Sequence, residues 1–211
     1  MKSRKVIGAP AHRLEGREKV SGHAIYATDI VLPGMLWAKL VRSPVAYGRI
    51  RTIDTTKAWA LSGVRAVITG QDVRGLLIGR KIYDMPILAE GVVRFAGEKV
   101  AAVAAETTAI AEEAVSLIDV DYEELEPLLD PLEAAKSTAQ PLHPNVQSYR
   151  GLPHPIETPS NVFVDMTWRK GDVEAGFFES DIIVENTFRT AQVHQGYIEP
   201  HACVVQVKAS G

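Results

Sequence analysis

One thiol, Cys203, is all the cysteine this 211-residue sequence contains. A single thiol cannot close a disulfide within the chain. Nor can it hold an iron–sulfur cluster unaided, since such clusters need about four thiolates. No run of apolar residues approaches the ~18 that a membrane-crossing helix requires. The opening residues, MKSRKVIGAPAHR, are basic but lack the apolar centre of a secretory signal. Neither sign of charge dominates: 23 Lys and Arg stand against 26 Asp and Glu, a net charge of −3. That balance argues against a nucleic-acid partner or an acidic membrane surface. The phosphate-cradling loops GxGxxG and GxxxxGK[ST] are missing, as is the nucleophile elbow G-x-S-x-G. A soluble cytoplasmic protein is the expectation these absences leave.

The most informative stretch runs over 93–127, VRFAGEKVAAVAAETTAIAEEAVSLIDVDYEELEP. Residues 100–105 (VAAVAA) are apolar throughout, as in a strand buried on both faces. Ile110, Ala114, Leu117 and Ile118 then fall on one side of a helix, while Glu106, Glu112 and Glu113 fall elsewhere. From Ile118 the period drops to two, with Val120 and Tyr122 alternating with Asp119, Asp121 and Glu123. That pattern predicts a half-exposed strand. Strand, helix and strand form one supersecondary unit punctuated by Gly97 and Pro127.

An earlier unit of the same kind is expected over 36–69. LWAKLVR (36–42) reads as a strand that Ser43-Pro44 ends. Asp54 is a fitting N-cap for a short helix reaching Leu61, closed by Gly63. VRAVIT (64–69) is the following strand. Before it, residues 1–24 read as a solvated arm, and 25–32 (IYATDIVL) as a strand leading to a Pro33-Gly34 turn. Residues 10–126 are thus expected to form one α+β domain. Seven of the 12 prolines crowd into 127–160. This predicts a linker or a segment draped over a surface, with one turn of helix at 131–136. Residues 161–211 become β-like: Val162, Val164, Met166 and Trp168 alternate with polar neighbours, and 181–190 and 202–208 read as strands. A short helix is expected after Gly171-Asp172, with Val173 and Phe177 on one side. Three strands and one helix make an incomplete domain, so the sequence reads as one that stops in mid-domain.

Side chains capable of chemistry are few. His194, Glu199, His201 and Cys203 lie together in HQGYIEPHAC, but their spacing fits no zinc pattern and Pro200 interrupts it. Cys203 sits in an apolar run and is expected to be a buried packing thiol. His12, His23, His143 and His154 are expected on surface loops. Glu112, Glu113, Asp119, Asp121, Glu123 and Glu124 fall on solvated faces, where nothing would shift their pKa values into a catalytic range. Composition and spacing alone assign no activity.

Seven blocks, in order, resemble the start of the molybdenum-binding large subunit of the xanthine dehydrogenase, aldehyde oxidase and aerobic carbon monoxide dehydrogenase family. They are REKVSGHAIYATDI (17–30), LWAKLVRSPVAYGRI (36–50), GVRAVITGQD (63–72), VRFAGEKVAAVAAE (93–106), DYEELEP (121–127), GDVEAGF (171–177) and HQGYIEPHA (194–202). Tyr47-Gly48 stands where the family pattern has His-Ala.

The resemblance implies an α/β-hammerhead domain over 10–126, a Pro-rich linker over 127–160 and the beginning of the first molybdopterin-binding domain over 161–211. It further implies an oxidoreductase that oxidises a carbon centre with water-derived oxygen, using the molybdenum cofactor (molybdopterin). The implied partners are the remainder of the molybdenum-binding subunit, together with iron–sulfur and FAD subunits. No catalytic, cofactor-binding or metal-ligating residue transfers to this chain, because the family's cofactor loops and its glutamate base match nothing here. The isolated chain is therefore expected to be inactive and to bind no cofactor alone. Glu199 matches a family glutamate and reads as a structural carboxylate. Arg42, Glu98 and Tyr122 are family-pattern residues expected to pack or pair ions. The competing reading is a stand-alone, non-enzymatic hammerhead module that docks a partner through exposed strand edges.

Overall fold

The computed structural model describes residues 11–198 and 201–208. The chain divides into two units, Gly34–Phe178 and the pair Met1–Pro33 with Glu179–Gly211.

In the second of these units the arm is not featureless. α1 (Gly16–Val20) forms over GREKV, with no buried residue. The expected strand over 25–32 does not form. A 3-10 turn, Ala27–Asp29, takes its place, and the Asp29 carboxylate accepts the Tyr26 backbone N–H at 2.8 Å. That local bond competes with the extended ladder, the usual role of Asp near a turn. Residues 181–190 and 202–208 also form no strand among the described residues. Their period of two is real, but a strand exists only where a neighbour closes its backbone hydrogen bonds. Ile182, Val184, Phe188, Val205 and Val207 accordingly stand exposed.

The Gly34–Phe178 unit carries the sheets. β1 (Trp37–Arg42), β2 (Gly48–Asp54), α2 (Thr56–Ala60) and β3 (Val64–Thr69) come first. The two-residue strands β4 (Leu77–Ile78), β5 (Met85–Pro86) and β6 (Val92–Val93) follow. Then come β7 (Lys99–Ala105), α3 (Thr108–Ser116), β8 (Asp119–Glu124), α4 (Pro131–Ala134) and α5 (Val173–Phe178). One sheet has the order β1-β7-β3, a second β6-β2-β8, and β4 pairs with β5. All pairings are antiparallel.

The first expected unit is corrected by β2, where the sequence pattern predicts no strand. A register shift between Ile50 and Thr52 spoils the period of two there. Ile50 and Ile53 both turn toward the core at a spacing of three, which is not the signature of a regular strand. With β2 in place, α2 carries the chain from the second sheet to the first. α3 carries it back, from β7 to β8. Neither helix joins two strands of one sheet.

β7 is the central strand. Val100, Ala101, Val103 and Ala105 are buried, while Ala102 and Ala104 are only half-buried, so burial alternates rather than being complete on both faces. Ala101 and Val103 pack with Ala58, Val67, Ala114 and Ile118 under the two helices. Val100 joins Ala89 and Val93 in a second cluster. Val41, Ile53 and Val120 touch both clusters and join them into one core. α3 begins where Thr107 accepts the Ile110 N–H through its hydroxyl at 3.2 Å, an N-cap. Its buried residues are Ala111 and Ala114, with Val115 half-buried beside them.

Candidate functional site

Within the described residues two polar side chains are buried, Ser43 at 3% exposure and Glu98 at 6%. They belong to two of the blocks quoted above, 36–50 and 93–106, and the fold brings the short motifs Arg42-Ser43-Pro44 and Gly97-Glu98-Lys99 within them together. The Arg42 guanidinium donates to the Gly97 carbonyl at 2.9 Å. The Gly97 N–H donates to the Ser43 carbonyl at 2.7 Å, and the Ser43 N–H donates to the Glu98 carbonyl at 2.8 Å. Ser43 spends its hydroxyl on the Val45 carbonyl at 3.0 Å. Gly97 has φ +91°, a value that strains any residue with a Cβ, which is why glycine occupies this tight return. The two motifs form a clasp at the end of β1 and the start of β7, where a register shift between Val41 and Arg42 frees the chain to turn.

Glu98 is the electrostatic centre of this clasp. One carboxylate oxygen accepts the Arg94 backbone N–H. The other lies 3.9 Å from the Arg94 guanidinium. Burial raises its pKa above the ordinary 4.5, opposed by the Arg94 N–H and by the charges of Arg94 and Lys99. Tyr122 lies near by. Its hydroxyl oxygen is buried and makes no hydrogen bond of normal geometry among the described residues, although the Ser43 hydroxyl is close enough to weigh on its ionisation. Burial raises the Tyr122 pKa.

The clasp leads outward to the proline-rich segment. Arg94 Nε donates to the Leu142 carbonyl at 3.2 Å. The Leu142 N–H donates to the Asn161 side-chain oxygen at 2.8 Å, and the Asn161 amide donates to the Gln140 and Ala134 carbonyls at 3.1 and 3.2 Å. Asn161 thus closes the ends of a loop 27 residues apart. The segment is not a free linker. It is tied to the preceding fold at several points.

His143 was expected on the surface but is half-buried, with Nδ1 2.9 Å from the Tyr149 hydroxyl. Burial lowers its pKa from 6.5, Arg94 lowers it further and Asp84 opposes them. Asn161 and Arg94 gave no sign of their roles in the sequence, because no spacing links partners 19 to 48 residues apart. The His143–Tyr149 pair sits in a segment without any period, so it gave none either.

The carboxylates of α3 and β8 take exposed cross-element partners. Lys39 reaches Glu112 at 2.7 Å, and Arg49 and Arg51 each lie 3.5 Å from Glu123. Glu199 lies outside the described residues. His194, His201 and Cys203 join no group of three potential ligands among the described residues. The Tyr197 ring instead lies 5.9 Å from the His194 ring and 5.2 Å from the His201 ring. Cys203 is exposed rather than buried, because nothing described packs on its segment.

Residues 21–126 match the a/b hammerhead domain of aldehyde oxidase and xanthine dehydrogenase. Residues 154–211 match a molybdopterin cofactor-binding domain. A probable xanthine dehydrogenase component from Bacillus subtilis is 38% identical over 98% of the chain, which spans 26% of that protein. The carbon monoxide dehydrogenase large chain of Afipia carboxidovorans is 32% identical over 95% of the chain, again 26% of the relative. Among solved structures, a Cu,Mo-CO dehydrogenase superposes with a TM-score of 0.69 at 34% identity, covering 83% of this chain and 23% of its own. The chain therefore spans about a quarter of the length of these relatives.

The fit to molybdopterin is not made by the residues described. A pterin phosphate needs convergent donors in an enclosed site. Residues 154–198 and 201–208 are exposed nearly throughout and enclose no such space.

Proposed function

The chain belongs to the aldehyde oxidase and xanthine dehydrogenase family, and on that footing we propose that it is part of a molybdenum-dependent hydroxylase or dehydrogenase large subunit, with a structural and assembly role. In the complete enzyme the molybdenum cofactor would oxidise a carbon centre with oxygen drawn from water. Electrons would leave to iron–sulfur and FAD subunits, and the assembly would reside in the cytoplasm. No helix among the described residues is long and apolar enough to cross a membrane. Within this reading, 10–126 is the hammerhead domain, 127–160 a Pro-rich connection and 161–211 the beginning of the first molybdopterin-binding domain. This chain's own residues fold the hammerhead core and hold the connection against it. They supply neither cofactor contacts nor the base.

The observation that carries the proposal is the clasp. Its two buried polar residues, Ser43 and Glu98, come from two of the blocks that resemble the family and hold those blocks together. Burying polar groups costs free energy unless they are paired, so a clasp of this kind supports a scaffold role. The test is metal and intact-mass analysis after purification from the native host without stripping partners. Molybdenum is expected in the polypeptide assembly that contains this sequence. A chain that purifies alone and free of molybdenum would overturn the proposal.

A further inference from the structure

We infer that residues 142–150 form an acid-sensitive strap, held on the hammerhead fold by Arg94 and released when His143 takes up a proton. Two attachments tie the strap to the hammerhead fold, and one contact braces it from within. Arg94 Nε donates to the Leu142 carbonyl. The His143 and Tyr149 rings meet edge to face, with centroids 5.6 Å apart, and share the 2.9 Å hydrogen bond. At the far end the Tyr83 N–H donates to the Arg150 carbonyl at 2.9 Å, and the Arg150 guanidinium lies 4.0 Å over the Tyr83 ring. Gly151 seals that end. A Cβ there would stand 2.0 Å from the Lys81 carbonyl oxygen, so backbone lies directly on backbone.

The weak point is the first attachment. The Arg94 side chain is only 20% exposed and its ion-pair partner Glu98 7%. Their electrostatics are therefore poorly screened. The charged and titratable groups that face His143 are Arg94, from the turn before β7, Asp84, from the loop before β5, and Tyr149 on the strap itself. Glu98 stands behind Arg94. A protonated imidazole sets a second cation against Arg94, with only Asp84 to offset it. Arg94 cannot lose its own proton. The strain is relieved when the strap lifts and His143 meets water.

The sign follows from the lowered pKa of His143. The closed strap holds fewer protons on His143 than the open one, so closure is favoured at neutral pH. It weakens as pH falls below 6.5, the ordinary histidine value. Glu98 acts in the opposite sense, because its pKa is raised. Its contribution therefore cannot produce the acid release.

The test is hydrogen exchange, corrected for intrinsic rates, on the full-length subunit in its native assembly between pH 7.5 and 5.5. Peptides covering 142–150 are expected to lose protection by about threefold or more on acidification, while β7 keeps its protection. His143→Gln, which keeps a polar partner for Tyr149, is expected to be flat across the range. Arg94→Ala is expected to expose the strap at every pH while β7 stays protected. Protection of the strap that does not change with pH in the wild type would overturn the inference. So would an acid loss that survives in His143→Gln.

Discussion

At the scale of single residues, Glu98 decides more than any other side chain described. Glu98→Ala would leave the Arg94 N–H without its acceptor, and the Arg94 guanidinium without its counter-charge, in a buried turn. A loss of about 2 kcal/mol is expected in denaturant unfolding. Glu98→Gln keeps an acceptor and is expected to cost about half as much. The two variants also separate charge from packing through pH. Between the ordinary 4.5 and its raised value, the native chain keeps a proton on Glu98 that the unfolded chain has released. Its contribution to stability therefore falls as pH rises through that window. Glu98→Gln is expected to abolish this slope, as read from midpoints measured across the window. Asn161 is the second such residue. Its three backbone hydrogen bonds hold 134–142, and Asn161→Ala is expected to make that loop susceptible to proteolysis while the sheets stay intact.

The elements show where local pattern sufficed. β1, β3, α3 and β8 were each legible because one face of each is apolar at the right period, and β7 because it is apolar throughout. Thr107→Ala removes the N-cap of α3 and is expected to cost about 1 kcal/mol, checked by thermal unfolding. Val103, 1% exposed in the central strand, is expected to cost about 2 kcal/mol as alanine, because the core around it collapses only in part. Gly70→Ala tests close approach between elements. A Cβ there would meet the Ala89 carbonyl oxygen at 2.1 Å, a backbone atom that cannot move cheaply, so loss of stable folding is expected in circular dichroism melts. β2 was illegible because its register shift destroyed the period. β4, β5 and β6 have two residues each, too few to show any period.

For the whole molecule, the two matched domains differ in what this chain supplies. The hammerhead stretch brings its own partners: each of its longer strands finds a neighbour, and its helices cover one shared core. Residues 161–198 and 201–208 carry the alternation of strands without neighbours to pair with among the described residues. In the full-length subunit, exchange protection over 181–190 is expected to rise well above that of this chain alone. Equal exchange in both would show that these residues form no strand even there.

Hydrophobic period and turn chemistry are local properties, and the sequence by itself determined what depends on them: the α+β class, most of the longer elements, the start of α5 at Asp172 and the family blocks. Tertiary structure alone decided which strand pairs with which, because pairing needs a partner that no local window contains. It also decided that the Ser43 and Glu98 motifs would share one clasp across 55 residues, that His143 would leave the surface and that Asn161 would close a loop. Those contacts depend on burial and on hydrogen bonds between distant residues, and a buried polar group is satisfied only by whatever the completed fold places beside it.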